Sequence, residues 1–263
     1  MNSAPKVTQL RVLRSEWKKA TTLRSTYVAM AVAFITMASI GIIISWSTAD
    51  EYGQLHNGHR HHFDPLIDSL SGFLLAQLVI GVLGILLVGG EYSTGMIRAS
   101  LSAVPKRLPM LWGKLAVFVT VTLAAMIPAV LIAFFGSQSV LSSKHIQTTW
   151  DAPYVSRVVL GCALYLTILA AFSIGLATIM RNIAGSIAVL VGIIIVLPAI
   201  ASGLPETWAL RINKYLPSNA GQAIMNVGKD PLFLSPMRGL LLFAVYAVGI
   251  VGVGAVVLKR RDA

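Results

Sequence analysis

Polar residues interrupt this 263-residue chain only at long intervals, and the apolar runs between them set its architecture. Six windows are long enough to cross a bilayer, which takes about 20 residues at the helical rise. They cover residues 27–46, 70–90, 115–136, 158–180, 183–203 and 239–258, and none holds Asp, Glu, Lys, Arg or His. Inside lipid the backbone must satisfy its own hydrogen bonds, so each window is predicted to be a helix. Pro128 and Pro198 fall inside the third and fifth windows and are expected to kink them. The fourth and fifth windows are separated by little more than Arg181 and Asn182, which predicts a tight antiparallel hairpin. Small residues recur along the windows (Gly81 and Gly84, Gly161 and Ala163, Ala171 and Gly175, Gly185 and Gly192, Gly249 and Gly252). They are candidates for close helix packing, not evidence of a pore.

Residues 1–26 follow a different pattern. Leu10, Leu13 and Trp17 recur at helical spacing on one face, with Arg11, Arg14 and Lys18 on another, and Glu16 is the only acid. This predicts a basic amphipathic helix in the membrane interface, with Leu10, Leu13 and Trp17 as the membrane-facing residues. A disordered basic leader is the alternative. A signal peptide is a further one, because Ser47-Thr48-Ala49 resembles a cleavage site, but the preceding apolar run of 20 residues exceeds a signal h-region of about 7–15.

Charge sets the orientation. With the N terminus inside, 14 Lys and Arg lie on the cytoplasmic side and seven outside, so both termini are expected in the cytoplasm. The outer loops then contain a histidine cluster, His56, His59, His61 and His62, and a longer segment, 204–237, with Trp208 and Tyr215 as interface anchors. The four histidines are candidate metal ligands. Asn57, Gly58 and Arg60 among them, and the lack of a thiolate, give the opposing reading of a solvated loop.

Composition agrees with the pattern: 56% of residues are apolar and 12% charged, where a soluble domain is about a quarter charged. The net charge of +11 raises nucleic acid as a partner. The bases sit at helix ends instead, where they meet headgroups of the lipid bilayer, so no nucleic acid is expected. The single cysteine, Cys162, lies in an apolar run and reads as a small buried residue.

Enzyme signatures are missing. No G-x-x-x-x-G-K-[ST] occurs, the string 221–229 having the wrong spacing, and neither G-x-S-x-G nor H-E-x-x-H is found. Ion-coupled transporters commonly place ionisable residues within their spans. The nearest ones here, Asp68, Lys114, Arg157 and Arg238, are expected at helix ends, and Gln77, Thr120, Thr122, Tyr165 and Thr167 are expected to bond between helices. Active transport would then need energy from outside the membrane.

The stretch 91–114, EYSTGMIRASLSAVPKRLPMLWGK, is the largest break between windows predicted to lie on the cytoplasmic side. Gly95, Pro105 and Pro109 forbid one uninterrupted helix, and residues 96–103 have room for about two turns. The positive-inside rule alone accounts for a basic loop here. The order Glu91, Tyr92, Gly95, Met96, Ile97, Arg98, Leu101, Pro105, Lys106, Arg107, followed by Gly113-Lys114 and a new apolar run, resembles the ABC-2 family of transporter permeases. LRSEWKKATTLRSTY resembles that family's elbow helix, KYLPSNAGQAI its last extracytoplasmic segment, and the closing LKRRDA is also typical.

The resemblance implies an all-α membrane domain spanning 1–263, with six transmembrane helices, an elbow helix and a cytoplasmic coupling helix between the second and third spans. It implies an exporting permease subunit in the plasma membrane, without an ATPase site of its own. ATP and Mg would be bound by a separate cytoplasmic ATPase subunit, and a second permease subunit, identical or related, would pair with this one. Glu91, Tyr92, Gly95, Met96, Ile97, Arg98, Leu101, Pro105, Lys106 and Arg107 would make the ATPase-coupling segment. It also implies short helices dipping back into the outer leaflet, near 219–225, with Lys229-Asp230-Pro231 as a turn. The rival classes are a secondary transporter or channel, and a membrane sensor or scaffold with a metal-binding outer loop.

Overall fold

A computed structural model describes residues 9–22, 24–54, 64–93, 107–228 and 230–260. The described residues are helical and contain no strand. Six helical segments among them are long and apolar enough to cross a membrane, which fits an integral membrane protein: Arg24–Asp50, Pro65–Tyr92, Leu108–Ser142, Val155–Met180, Ile183–Ser202 and Pro236–Arg260.

Helix α1 (Gln9–Thr22) is followed almost at once by α2 (Arg24–Gln54). The sequence window for this span ended at residue 46, but Ser47, Thr48 and Ala49 continue the helix. Thr48 Oγ1 donates to the Ile44 carbonyl (2.9 Å), so its hydroxyl is satisfied without breaking the turn. The second span is split. Asp64 caps α3 (Pro65–Leu70), its side chain accepting from Leu66 N (2.9 Å) and Ile67 N (3.4 Å), with Pro65 in the first turn where no N–H is needed. A turn at Ser71 and Gly72 then leads into α4 (Phe73–Ser93). Gly72 is pressed on α2: an added Cβ would lie 2.5 Å from the Met37 carbonyl oxygen. A Cβ on Gly41 would likewise collide with the Ser69 carbonyl.

Helix α5 (Arg107–Ser142) has 36 residues, about 54 Å, and overshoots the bilayer core of about 30 Å. It starts eight residues before the sequence window did, because Pro109 sits in its first turn, where proline costs no hydrogen bond. Lys114, expected at a helix end, is therefore about 10 Å inside α5 and buried. The helix continues through Pro128.

Helix α6 (Val155–Met180) is the axis of the bundle: 78% of its apolar window is buried, against 17% for Ile183–Ser202. It packs on α4, on α5 and on the last helix, while α2 packs along α5. Arg181 and Asn182 alone join α6 to α7 (Ile183–Val191). The fifth span then passes through a π-helical turn (Gly192–Val196) into α8 (Leu197–Ser202). Pro198 has no N–H and crowds the carbonyl four residues back, and widening the preceding turn, with Leu197 N bonding to Gly192 O, relieves that crowding. Outside the spans come α9 (Glu206–Ile212), α10 (Pro217–Gln222) and two short 3-10 turns, before α11 (Pro236–Arg260). Asp230 accepts from Leu232 N (2.8 Å) in a turn, and Lys229 lies outside the described residues.

The packing of small residues departs from expectation at several positions. Gly175 meets α11 backbone to backbone, since a Cβ there would lie 2.8 Å from Val251 N. Its counterpart is Gly254, whose Cβ would lie 3.2 Å from the Gly175 carbonyl oxygen. Gly249 and Gly252 touch nothing within 4 Å of an added Cβ, and neither does Gly192. A helix that is apolar on every side does not reveal which face is packed.

Candidate functional site

Glu16 and Lys114, the buried charged residues among those described, meet at one place. Lys19 Nζ donates to Glu16 Oε1 (2.8 Å) and to Glu91 Oε1 (3.2 Å). Lys114 Nζ donates to Glu91 Oε1 (2.9 Å) and lies 3.1 Å from Glu16 Oε2. The four side chains close a ring of alternating sign, Glu16–Lys19–Glu91–Lys114, with no net charge. Three members are nearly removed from water, with side-chain exposures of 6% for Glu16, 7% for Lys114 and 12% for Glu91, while Lys19 is 35% exposed.

Local packing sets the ring. Val12 and Glu16, one helical turn apart, form the face that α1 lays on the first turns of α5. Gly113 permits this approach: an added Cβ would lie 3.1 Å from Val12 Cγ1 and 3.7 Å from Glu16 Cγ. Gln9 Nε2 donates to the Pro109 carbonyl (3.1 Å), one of the early carbonyls of α5. Glu91 enters from the end of α4, and Lys114 rises from α5 one residue past Gly113.

Electrostatics keep Glu16 and Lys19 charged. Burial by itself would raise the Glu16 carboxyl, but Lys114 and Lys19 overcome it and hold the group below its usual value. Burial would lower the Lys19 ammonium, but Glu16 and Glu91 hold it above its usual value. An isolated charge at this depth would be expensive. Here each ammonium touches two carboxylates, which offsets the desolvation.

Tyr92, the neighbour of Glu91, points into a second tie. The Arg181 guanidinium lies 5.4 Å from the Tyr92 ring centroid, and its Nη2 donates to the Val257 carbonyl near the end of α11 (3.4 Å). Arg181 itself has φ 53°, ending α6 in the left-handed conformation with its N–H on the Ala177 carbonyl (2.9 Å). Glu91 and Tyr92 therefore fasten the end of α4 to α1 and α5 on one side and to the ends of α6 and α11 on the other.

Of the sequence candidates, Gly95, Met96, Ile97, Arg98, Leu101, Pro105 and Lys106 lie outside the described residues, and Arg107 opens α5. His56, His59, His61 and His62 also lie outside them. Leu10 and Trp17 are exposed and Leu13 is half-buried; with Arg14, and with Ala116, Val117 and Thr120 of α5, they line an open groove of about 430 Å³. Sequence reasoning missed Glu16 and Lys19 as site residues. The available signal was a lone acid among six bases, three residues before a lysine.

At the other end of the bundle, Tyr165 Oη donates to Gln77 Oε1 (2.6 Å), an interhelical bond beside Phe243, while Thr167 bonds within its own helix to the Ala163 carbonyl (2.7 Å). Arg157 donates to the carbonyls of Ile224 (3.3 Å) and Asn226 (3.0 Å), pinning the short outer helices to α6. No protein-family model matches the chain, and no curated protein is similar to it.

Proposed function

We propose that this chain is the membrane-spanning permease subunit of an ATP-driven transporter, built like the ABC-2 permeases its sequence resembles. In this reading both termini are cytoplasmic, α1 is the elbow helix in the plasma-membrane interface, and residues 94–106 dock on a separate cytoplasmic subunit that binds ATP and Mg. A second permease subunit, identical or related, completes the transporter, and export is the direction the resemblance implies.

The observation that carries the reading is the ring. Glu91 lies three residues before the segment 94–106 and Lys114 eight residues after it, and the two are bonded to each other and to α1. A push on that segment reaches α4, α5 and α1 together, and through Tyr92 and Arg181 reaches α6 and α11. Packed bundles respond to such a load by switching arrangement, not by continuous bending.

Affinity purification of the tagged chain in mild detergent, with identification of its partners and an ATP hydrolysis assay, tests this. The expected result is a stoichiometric ATPase partner that is lost when Arg98 and Leu101 are changed to Ala and retained in Glu91→Gln, which instead uncouples hydrolysis from transport. A partner-free protein without ATPase activity, reproduced under gentle conditions, overturns the reading.

One observation favours a second reading. Charged residues buried beside membrane spans often mark ion-coupled transport, and Glu16, Glu91 and Lys114 are buried. Substrate flux driven by an imposed ion gradient in vesicles holding this chain alone selects that reading.

A further inference from the structure

Beside the ion ring a cavity of about 440 Å³ opens between α2, α4 and α5, within the size range of ligand sites. Its two ends differ. The inner end is lined by Leu83 and Leu87 of α4, Ala29 of α2, and Phe118 and Val121 of α5. The mouth is lined by the four charges of the ring and by Ser25 and Thr26. From Glu91 to Leu83 is eight residues along α4, about 12 Å of depth. Leu86, on the rim, is exposed on the apolar surface of the bundle.

We infer that this slot holds one acyl chain of an anionic lipid drawn from the surrounding leaflet. The apolar depth suits a hydrocarbon chain and rejects a soluble polar ligand. The sign of the headgroup follows from the ring. Lys19 is its most exposed member, and an ammonium has three donors, two of which are taken by Glu16 and Glu91. Among the described residues the third meets no acceptor, so it can serve an incoming phosphate or carboxylate, while both carboxylates accept from lysines. A lipid seated there would brace the ring against α2.

The inference shares the ring with the proposed coupling site but rests only on the chain lying in a membrane. It needs no ATPase, so its failure and the failure of the permease reading are separate results. The test is native mass spectrometry of the purified full-length chain, titrated with lysophosphatidylglycerol and with an uncharged monoacylglycerol of the same chain length. The expected result is one saturable molecule per chain, with at least fivefold preference for the anionic lipid. Ala29→Phe and Val121→Phe, which fill the slot from α2 and from α5, each reduce occupancy at least tenfold. Lys19→Gln removes the preference while chain binding persists, and Val248→Phe, on the exposed surface of α11, changes neither. A diazirine on the acyl chain labels residues 83–87 and 117–121. Occupancy in the two Phe variants equal to that of the unaltered chain, labelling no stronger there than on α11, or no preference for the anionic lipid overturns the inference. If one Phe variant fails to fold, the other and the labelling sites decide.

Discussion

Lys114 and Glu91 meet at 2.9 Å although 23 residues separate them in the chain. Their contact closes the gap between the end of α4 and the start of α5, and Glu16 and Lys19 of α1 complete a ring around it. Because the ring alternates in sign, its behaviour under mutation differs from that of an isolated pair. Lys114→Met leaves Glu16 and Glu91 buried without that partner and is expected to cost about 3–5 kcal/mol. For an isolated pair the exchange Glu91→Lys with Lys114→Glu would restore stability. Here it sets Lys19 beside a lysine and Glu16 beside a glutamate, so the exchanged double variant stays destabilised. The neutral double variant Glu91→Gln with Lys114→Met, which keeps the Glu16–Lys19 bridge, is more stable than the exchange. Thermal unfolding of the purified variants in one detergent checks the order.

The ring also predicts a pH window for the seating of α1. Glu16 titrates below its usual value of 4.5 in the folded protein, so its stabilisation is present above about that pH and is lost as pH falls through the lowered value. Lys19 titrates above its usual value of 10.5, so its contribution is full below that pH and is lost as pH rises through the raised value. Trp17 reports on α1, and its fluorescence in micelles is expected to stay constant between these limits and change outside them. Glu16→Gln removes the acid limb of the profile and weakens the alkaline limb, because Glu16 does more than Glu91 to raise Lys19.

The crossing of α6 with α11 depends on two glycines. Gly175→Val drives a side chain into the α11 backbone near Val251 and is expected to cost at least about 1–3 kcal/mol, the range for overpacking. Gly252→Ala, on the open face of the same helix, is expected to change stability by less than about 0.5 kcal/mol. Melting temperatures of the two variants, measured side by side, test the assignment.

The bond between Tyr165 and Gln77 makes a similar forecast for the bundle interior. Tyr165→Phe leaves the Gln77 carbonyl oxygen without its 2.6 Å donor and is expected to cost about 1–3 kcal/mol. Adding Gln77→Leu removes the stranded polar group and recovers part of the loss. Unfolding of both single variants and the double variant gives the coupling directly.

The number and placement of the spans were legible in the sequence because a helix in lipid is a local solution. Its hydrogen bonds run four residues back, and about 20 apolar residues suffice to specify it. The two-residue connection at Arg181 and Asn182 was legible for the same reason. Where the chain continued without a breaker, as at Ser47 to Ala49, or where proline fell in a first turn, as at Pro109, the helices outran the apolar windows. The amphipathic character of α1 was legible too, but its partner was not. Val12 and Glu16 form the face packed on α5, and Leu10 and Trp17 stay exposed.

By itself the sequence determined the class of fold, six apolar helices preceded by a basic amphipathic one, since length and hydropathy act within single segments. Only the tertiary structure decided which residues meet. Gly254 packs on Gly175 while Gly249 and Gly252 face outward, because the rotation of a helix that is apolar all round is set by its neighbours. Glu16 and Lys114, 98 positions apart in the chain, pair because α1 lies across Gly113, and local spacing carries no record of that contact.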